Sequence, residues 1–289
     1  MMAQPGLRKL VSKHVKLIAM HKWDAHDYQK SSEAQLRLGR ELIDKLGLKG
    51  CEHVLDVGCG DGKVTAEIAA RLPHGSVTGI DNSPEMIDLA CRTFPHAEFP
   101  NLRFIHMDAC QLDFHQEYDI TFSNAVLHWV RDHRAVLKGI YAGLKTPGRL
   151  LLQMGGRGNV ADMARVVLGI TARPEWFPYF KGFILPYSFF GTEEYGKWLP
   201  EAGFKPLRVE LIARDMAQQG KEGLAGWFRT TWHPFIHRVP EAMQQHFIDE
   251  VVDGYLRQYP PDTSNIVHVA AVRLEAEAVK DNIEQVASG

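Results

Sequence analysis

No stretch of the 289-residue chain reaches the run of about 18 apolar residues that a membrane-spanning helix requires, so no span is expected. Cysteine is scarce. Cys51, Cys59, Cys91 and Cys110 show no Cys-x-x-Cys spacing, which argues against a disulfide framework or a zinc site and for reduced thiols in a cytoplasmic setting. Neither sign of charge is in excess. Lys plus Arg number 33 against 35 Asp plus Glu, so no global field favours nucleic acid as a partner. Histidines form no ligand cluster either: His233 and His237 are four apart, but Pro234 intervenes and no third ligand is spaced nearby, so no metal is expected. Internal repeats and low-complexity segments are missing as well.

What the chain has is an ordinary globular composition, 45% hydrophobic and 24% charged, long enough for one large α/β domain with an elaboration. Residues 1–30 read as a basic arm or covering helix, with Arg8, Lys9, Lys13, Lys16 and Lys22 ahead of the first acid, Asp24. Residues 31–289 read as the main domain. Strand and helix patterns alternate from Glu33 to about Met154, the signature of βαβ units on a parallel sheet. Ser31 or Ser32 is expected to cap a helix stopped by Gly47. Ser83-Pro84 opens another and Asp132 a third, which Pro147-Gly148 ends. Gly158 to Gly169 reads as a helix. Strands are expected at 206–214 and 265–274, and the aromatic, helical stretch at about 217–262 between them reads as a lid.

The run His53-Val54-Leu55-Asp56-Val57-Gly58-Cys59-Gly60-Asp61-Gly62 is the strongest signal. An apolar strand meets a carboxylate, then glycines at alternate positions, then a helix whose N-terminus favours a polar ligand. A dinucleotide fingerprint needs its third glycine one residue later, where Lys63 stands; that spacing counts against a nicotinamide oxidoreductase. Three further strands end in Asp81, Asp108 and Asn124, so polar residues collect at the sheet edge where open α/β sheets bind ligands. Asp81 sits where a ribose-binding acid belongs.

The segments LDVGCGDG, GIDNSPEMIDLA, MDAC and YDITFSNAVLHWV resemble the class I S-adenosylmethionine-dependent methyltransferases. More closely, they are similar to the group that holds the trans-aconitate methyltransferases, the juvenile-hormone-acid methyltransferases and the malonyl-carrier-protein methyltransferases of biotin synthesis. Trp23 and Tyr28 echo the opening segment of that group. The resemblance implies a Rossmann-like fold, a seven-stranded mixed sheet with helices on both faces and a helical lid, and S-adenosyl-L-methionine as cofactor. It implies a cradle in which amides of Gly58, Cys59, Gly60 and Gly62 meet the methionine and ribose side, with Asp56 positioning the amino-acid part. Asp81 with Asn82 then takes the ribose, Met86 either rests on the adenine or belongs to the core, Asp108 accepts from the adenine amino group, and Ala109 adds backbone contacts. Asn124 and Ala125 face the sulfonium, and His128 and Trp129 line the route to the acceptor. His128 reads either as a base or, preferably, as a wall residue, because an ionised carboxylate acceptor needs no base.

The expected activity is methyl transfer to a small molecule, foremost to a carboxylic acid, giving an ester. Carbon, nitrogen or carrier-bound acyl acceptors remain open, as does a non-catalytic cofactor-binding partner protein; oligomeric state is not legible. Arg157, Arg173, Arg229 and Arg238 are the candidate cations for an acidic substrate, since arginine grips a carboxylate with two parallel bonds.

Overall fold

The computed structural model describes residues 39–281; the basic arm, Trp23, Tyr28 and both candidate serine caps lie outside them. A helix, α1, occupies 39–45 and presents Leu42 and Ile43 to the core, with Leu46 buried just after it. Seven strands follow in the order β3-β2-β1-β4-β5-β9-β6. They are β1 (His53–Val57), β2 (Ser76–Asp81), β3 (Leu102–His106), β4 (Tyr118–Asn124), β5 (Leu144–Gly155), β6 (Lys205–Asp215) and β9 (Ala270–Lys280). β1 pairs in parallel with both β2 and β4, and β9 runs antiparallel between β5 and β6. Helices cover both faces, which is why β1 and β2 are apolar and buried almost throughout and do not alternate. The fold is that of a class I methyltransferase.

Local chemistry sets the helix starts. α2 (Lys63–Ala70) begins at Gly62, in the left-handed region at φ 80. For α3 (Pro84–Thr93), Ser83 Oγ accepts the Met86 N–H at 3.2 Å. For α4 (His133–Gly143), Asp132 accepts the Ala135 N–H at 3.0 Å. α4 ends at Gly143 and not at Pro147-Gly148, because β5 already begins at Leu144 and pairs with Tyr118. The helix expected at 158–169 is α5 (Ala161–Thr171), displaced because Gly158, at φ 84, belongs to the turn that precedes it.

After α6 (Phe177–Phe180) and α7 (Thr192–Glu201), the chain between β6 and β9 leaves the sheet. It forms β7 (Gln218–Gln219), α8 (Gly220–Thr231), α9 (His233–Ile236), α10 (Glu241–Gln258) and β8 (Ile266–Val267). β7 and β8 pair as a short ribbon that closes the base of this insertion. The single strand expected over 265–274 is therefore two: β8 belongs to the ribbon, and β9 starts at Ala270. The insertion has its own core. Phe228, Phe235, Phe247, Val251 and Tyr255 pack on Trp176 and on Met163 and Val167 of α5; each such buried side chain contributes about 1.5–3 kcal/mol.

Glu275 ties the sheet to α1. Its buried carboxylate accepts from Lys45 Nζ at 2.6 Å and from Gln153 Nε2 at 2.8 Å, and it also meets Arg208. Among the described residues no helix is long and apolar enough to cross a membrane.

Candidate active site

Strand order reverses between β1 and β4, and at the carboxyl ends of these strands an open α/β sheet leaves a crevice. Here that crevice deepens into a cavity of about 530 Å³. One side is built from strand ends: Gly58, Gly60, Asp81, Asn82, Met86, Asp108, Ala109, Asn124 and Ala125 all line it. The other side is built from the turn at Leu127–Trp129, the aromatic segment before α7, the insertion and Arg273 of β9.

The glycine loop is spent differently from expectation. Gly58 and Cys59 donate their amides to the Ile80 carbonyl at 2.8 and 2.9 Å, Gly62 donates to Cys59 O at 3.0 Å, and Gly60 donates to Asp81 Oδ2 at 3.1 Å. Three of these amides lock the loop onto β2 and the fourth closes the turn within it, so none is free for a ligand. The glycines are required because the chain passes too close to its neighbours. A Cβ on Gly58 would stand 2.3 Å from Val126 Cγ1, and one on Gly62 would stand 2.5 Å from the Phe104 ring. Gly62 and Cys59 do not line the cavity; Cys59 fills space beside Gly79. Asp56 also lies behind the loop, fully buried, accepting the Thr65 hydroxyl at 2.7 Å. Burial raises its pKa to about 7, while the Thr65 bond pulls the other way and Asp81 adds to the rise.

Asp81 takes one backbone amide on each carboxylate oxygen, Gly60 on Oδ2 and Ser83 on Oδ1 at 2.9 Å, so each keeps a lone pair for a further donor. Burial raises its pKa, opposed by the Ser83 and Gly60 amides. Asp108 caps the turn at Ala109–Gln111 through the Cys110 amide at 2.8 Å, leaving its other oxygen at the cavity rim. Ala125 holds φ 58, a strained value for a residue with a Cβ. Its amide is fixed by Gln153 O at 2.8 Å, which steers the chain from β4 into the turn carrying His128 and Trp129.

That turn is anchored from beneath. His133 Nε2 bonds the carbonyls of Leu127 and Val130 at 2.8 and 3.1 Å, so Nδ1 is the acceptor for the Tyr195 hydroxyl at 2.7 Å. His128 is half-buried, packed against Trp129, Tyr187 and Phe189. Burial, with Arg273 and His133 nearby, lowers its pKa to about 3.

None of the four arginines singled out from sequence lines the cavity. Arg157 pairs with Glu194, Arg173 with Glu250, Arg238 donates to the Tyr179 carbonyl at 3.1 Å, and Arg229 is exposed. The cation at the site is Arg273, opposite Gly155 on the β5–β9 ladder. Its Nε is buried without a hydrogen-bond partner, and it makes no ion pair among the described residues. Burial, and then Arg214, lowers its pKa. Nothing in Val272-Arg273-Leu274 marks this residue in the sequence; only the place of β9 beside β5 does.

A methyltransferase-domain family model matches residues 54–148. A methyltransferase of Schizosaccharomyces pombe is 30% identical over 228 residues, spanning 76% of this chain and 84% of the relative. The trans-aconitate 2-methyltransferase of an Enterobacter species is 28% identical over 256 residues, covering 88% of this chain and 97% of that one. The phosphoethanolamine N-methyltransferase 2 of Haemonchus contortus, solved with S-adenosylhomocysteine, superposes with a TM-score of 0.54 at 19% identity, over 85% of this chain and 53% of that one. With these relatives, and with β9 antiparallel beside β5 in the seven-stranded sheet, the chain belongs to the class I S-adenosylmethionine-dependent methyltransferases.

Proposed function

We propose that this enzyme methylates a carboxylate oxygen of a small molecule, giving a methyl ester. The observation that carries the reading is Arg273, a guanidinium at the cavity wall with no protein counter-ion among the described residues. A half-buried cation with no protein counter-charge favours an anionic guest, and a carboxylate gripped by two parallel bonds supplies one. On the strand-end side, Asp81 accepts the ribose hydroxyls, Asp108 the adenine amino group, and Met86 covers the ring. Asn124 and Ala125 border the sulfonium end. Residues 217–262 act as the lid over both halves.

S-adenosylmethionine, when bound, supplies a methyl group on a positively charged sulfur. A carboxylate lone pair forms the new O–C bond as the C–S bond breaks. The electron pair stays on sulfur, and anion plus cation become two neutral products. No proton moves, so the protein needs no base. Its task is to hold the acceptor in line at near-attack distance. Neutral His128 suits this task as a donor from Nε2. Once the ester forms, Arg273 loses its counter-charge and releases the product.

The test is transfer from methyl-labelled donor to a panel of carboxylic acids, followed by alkaline hydrolysis. Release of labelled methanol is expected. Label that resists base, or that goes only to amines or carbon acceptors, overturns the assignment.

A further inference from the structure

Arg273 is the single fixed positive charge among the described residues that line the cavity; the other charged groups there are Asp81 and Asp108, on the strand-end side. The acceptor side is walled by Trp129, Tyr187, Phe189, Met216, Trp227 and Trp232. Several polar side chains stand among these rings, and each already spends a hydrogen-bonding group on the protein itself. Tyr187 donates its hydroxyl to Thr231 O at 3.0 Å, and Thr231 donates to Trp227 O at 2.6 Å. Thr230 donates to Trp227 O at 3.1 Å, Gln218 Nε2 to Met216 O at 3.3 Å, and Asn159 Oδ1 accepts the Val272 amide at 3.0 Å. What these residues leave toward a guest is mostly ring face and methyl group, with the Trp227 Nε1–H as a buried donor that has no partner among the described residues. A second or third carboxylate would enter with no cation and few free donors to meet it, at the cost of desolvating an unpaired charge.

We infer that the acceptor is a monocarboxylic acid with an extended apolar or aromatic body, its one carboxylate on Arg273 and its body among these rings. This rests on the carboxyl-methylation reading above, and it separates this chain from the relatives named for trans-aconitate. The rings gain area with each methylene that they cover, so binding follows chain length, not charge.

The test is calorimetric titration of the full chain, saturated with S-adenosylhomocysteine, with butyrate, decanoate, 4-phenylbutyrate and trans-aconitate. Base-labile methyl transfer to the same acids is measured alongside. Decanoate and 4-phenylbutyrate are expected to bind more tightly than butyrate, by up to roughly fourfold per buried methylene, and more tightly than trans-aconitate. Trp227→Ala should weaken decanoate tenfold or more while leaving butyrate and S-adenosylhomocysteine within twofold. Arg273→Gln should weaken every monoacid and leave S-adenosylhomocysteine unchanged. If trans-aconitate binds best and yields a base-labile ester, carboxyl methylation stands and the monoacid inference falls. If no acid is bound or esterified, both fall.

Discussion

The Gly155 amide donates to Nδ1 of His128 at 3.3 Å, which leaves the ring's one proton on Nε2. With the Nδ1 lone pair engaged and a pKa lowered to about 3 by burial first, then Arg273 and His133, this imidazole is neutral from pH 5 to pH 9 and is a donor, not a base. His128→Gln should keep a donor near the Nε2 position and retain most of the activity. His128→Phe should raise KM for the acceptor with a loss in kcat of about tenfold. General-base catalysis would instead cost about 10²–10⁴ in rate in both variants. A pH–rate profile with an inflection that disappears in His128→Phe would show the donor role to be wrong.

Asp81 holds one amide on each oxygen, and the ribose assignment needs both remaining lone pairs on an ionised carboxylate. Asp81→Ala should weaken S-adenosylhomocysteine binding tenfold or more, about 1.4 kcal/mol or above. Because burial raises the Asp81 pKa, affinity in the unmodified enzyme should fall as pH drops toward the mildly acidic range. Calorimetric titration across pH 5–8 checks both expectations; equal affinity in the variant removes Asp81 from the site.

Gly58 stands at φ 81 with Val126 against its α-carbon. Gly58→Ala adds a Cβ into that contact and forces a residue with a side chain into the left-handed region, at about 1–2 kcal/mol for the backbone alone. Thermal melting should show a clear fall in Tm together with weaker cofactor binding. Val126→Ala in the same chain should recover part of the loss by clearing the contact. A single Gly58→Ala variant as stable as the parent would mean that the loop is not held as described.

Asp56 has a folded-state pKa of about 7, raised chiefly by burial, against about 3.9 in the unfolded chain. Its contribution to stability is therefore complete below pH 4 and is lost as pH rises through about 7. Asp56→Asn removes the charge while its side-chain oxygen can still accept from Thr65. In the cofactor-free protein, the Tm of this variant relative to the parent should improve between pH 5 and pH 8. A difference that does not change with pH contradicts the buried-carboxylate account.

The strand-end half of the site was legible because its chemistry is written locally. Gly58, Gly60 and Gly62 mark a turn that few other residues survive, and Asp81, Asp108 and Asn124 each follow an apolar strand directly. What the glycine amides do was not legible. That they are consumed by Ile80 and Asp81 depends on how closely β1 lies beside β2. On the acceptor half, His128 and Trp129 do line the cavity, but its cation was misplaced for the same reason. Arg157 and Arg173 sit in segments that look functional, yet Glu194 and Glu250 neutralise them across the surface. Arg273 sits in an alternating strand pattern like any other, and only the insertion of β9 between β5 and β6 carries it to the cavity wall. The end of α4 was misjudged where a cross-strand partner, Tyr118, outweighed the local breaker signal of Pro147-Gly148.

That placement of β9 has a bearing on how the chain is made. β6 is synthesised well ahead of β9, its one sheet neighbour among the described residues, with the whole helical insertion translated in between. Throughout that interval a nascent polypeptide carries two raw hydrogen-bonding edges, those of β5 and β6, which invite pairing with another chain. Any premature stop within the insertion would release a product with both edges permanently open, so its expected fate is aggregation, not mere inactivity.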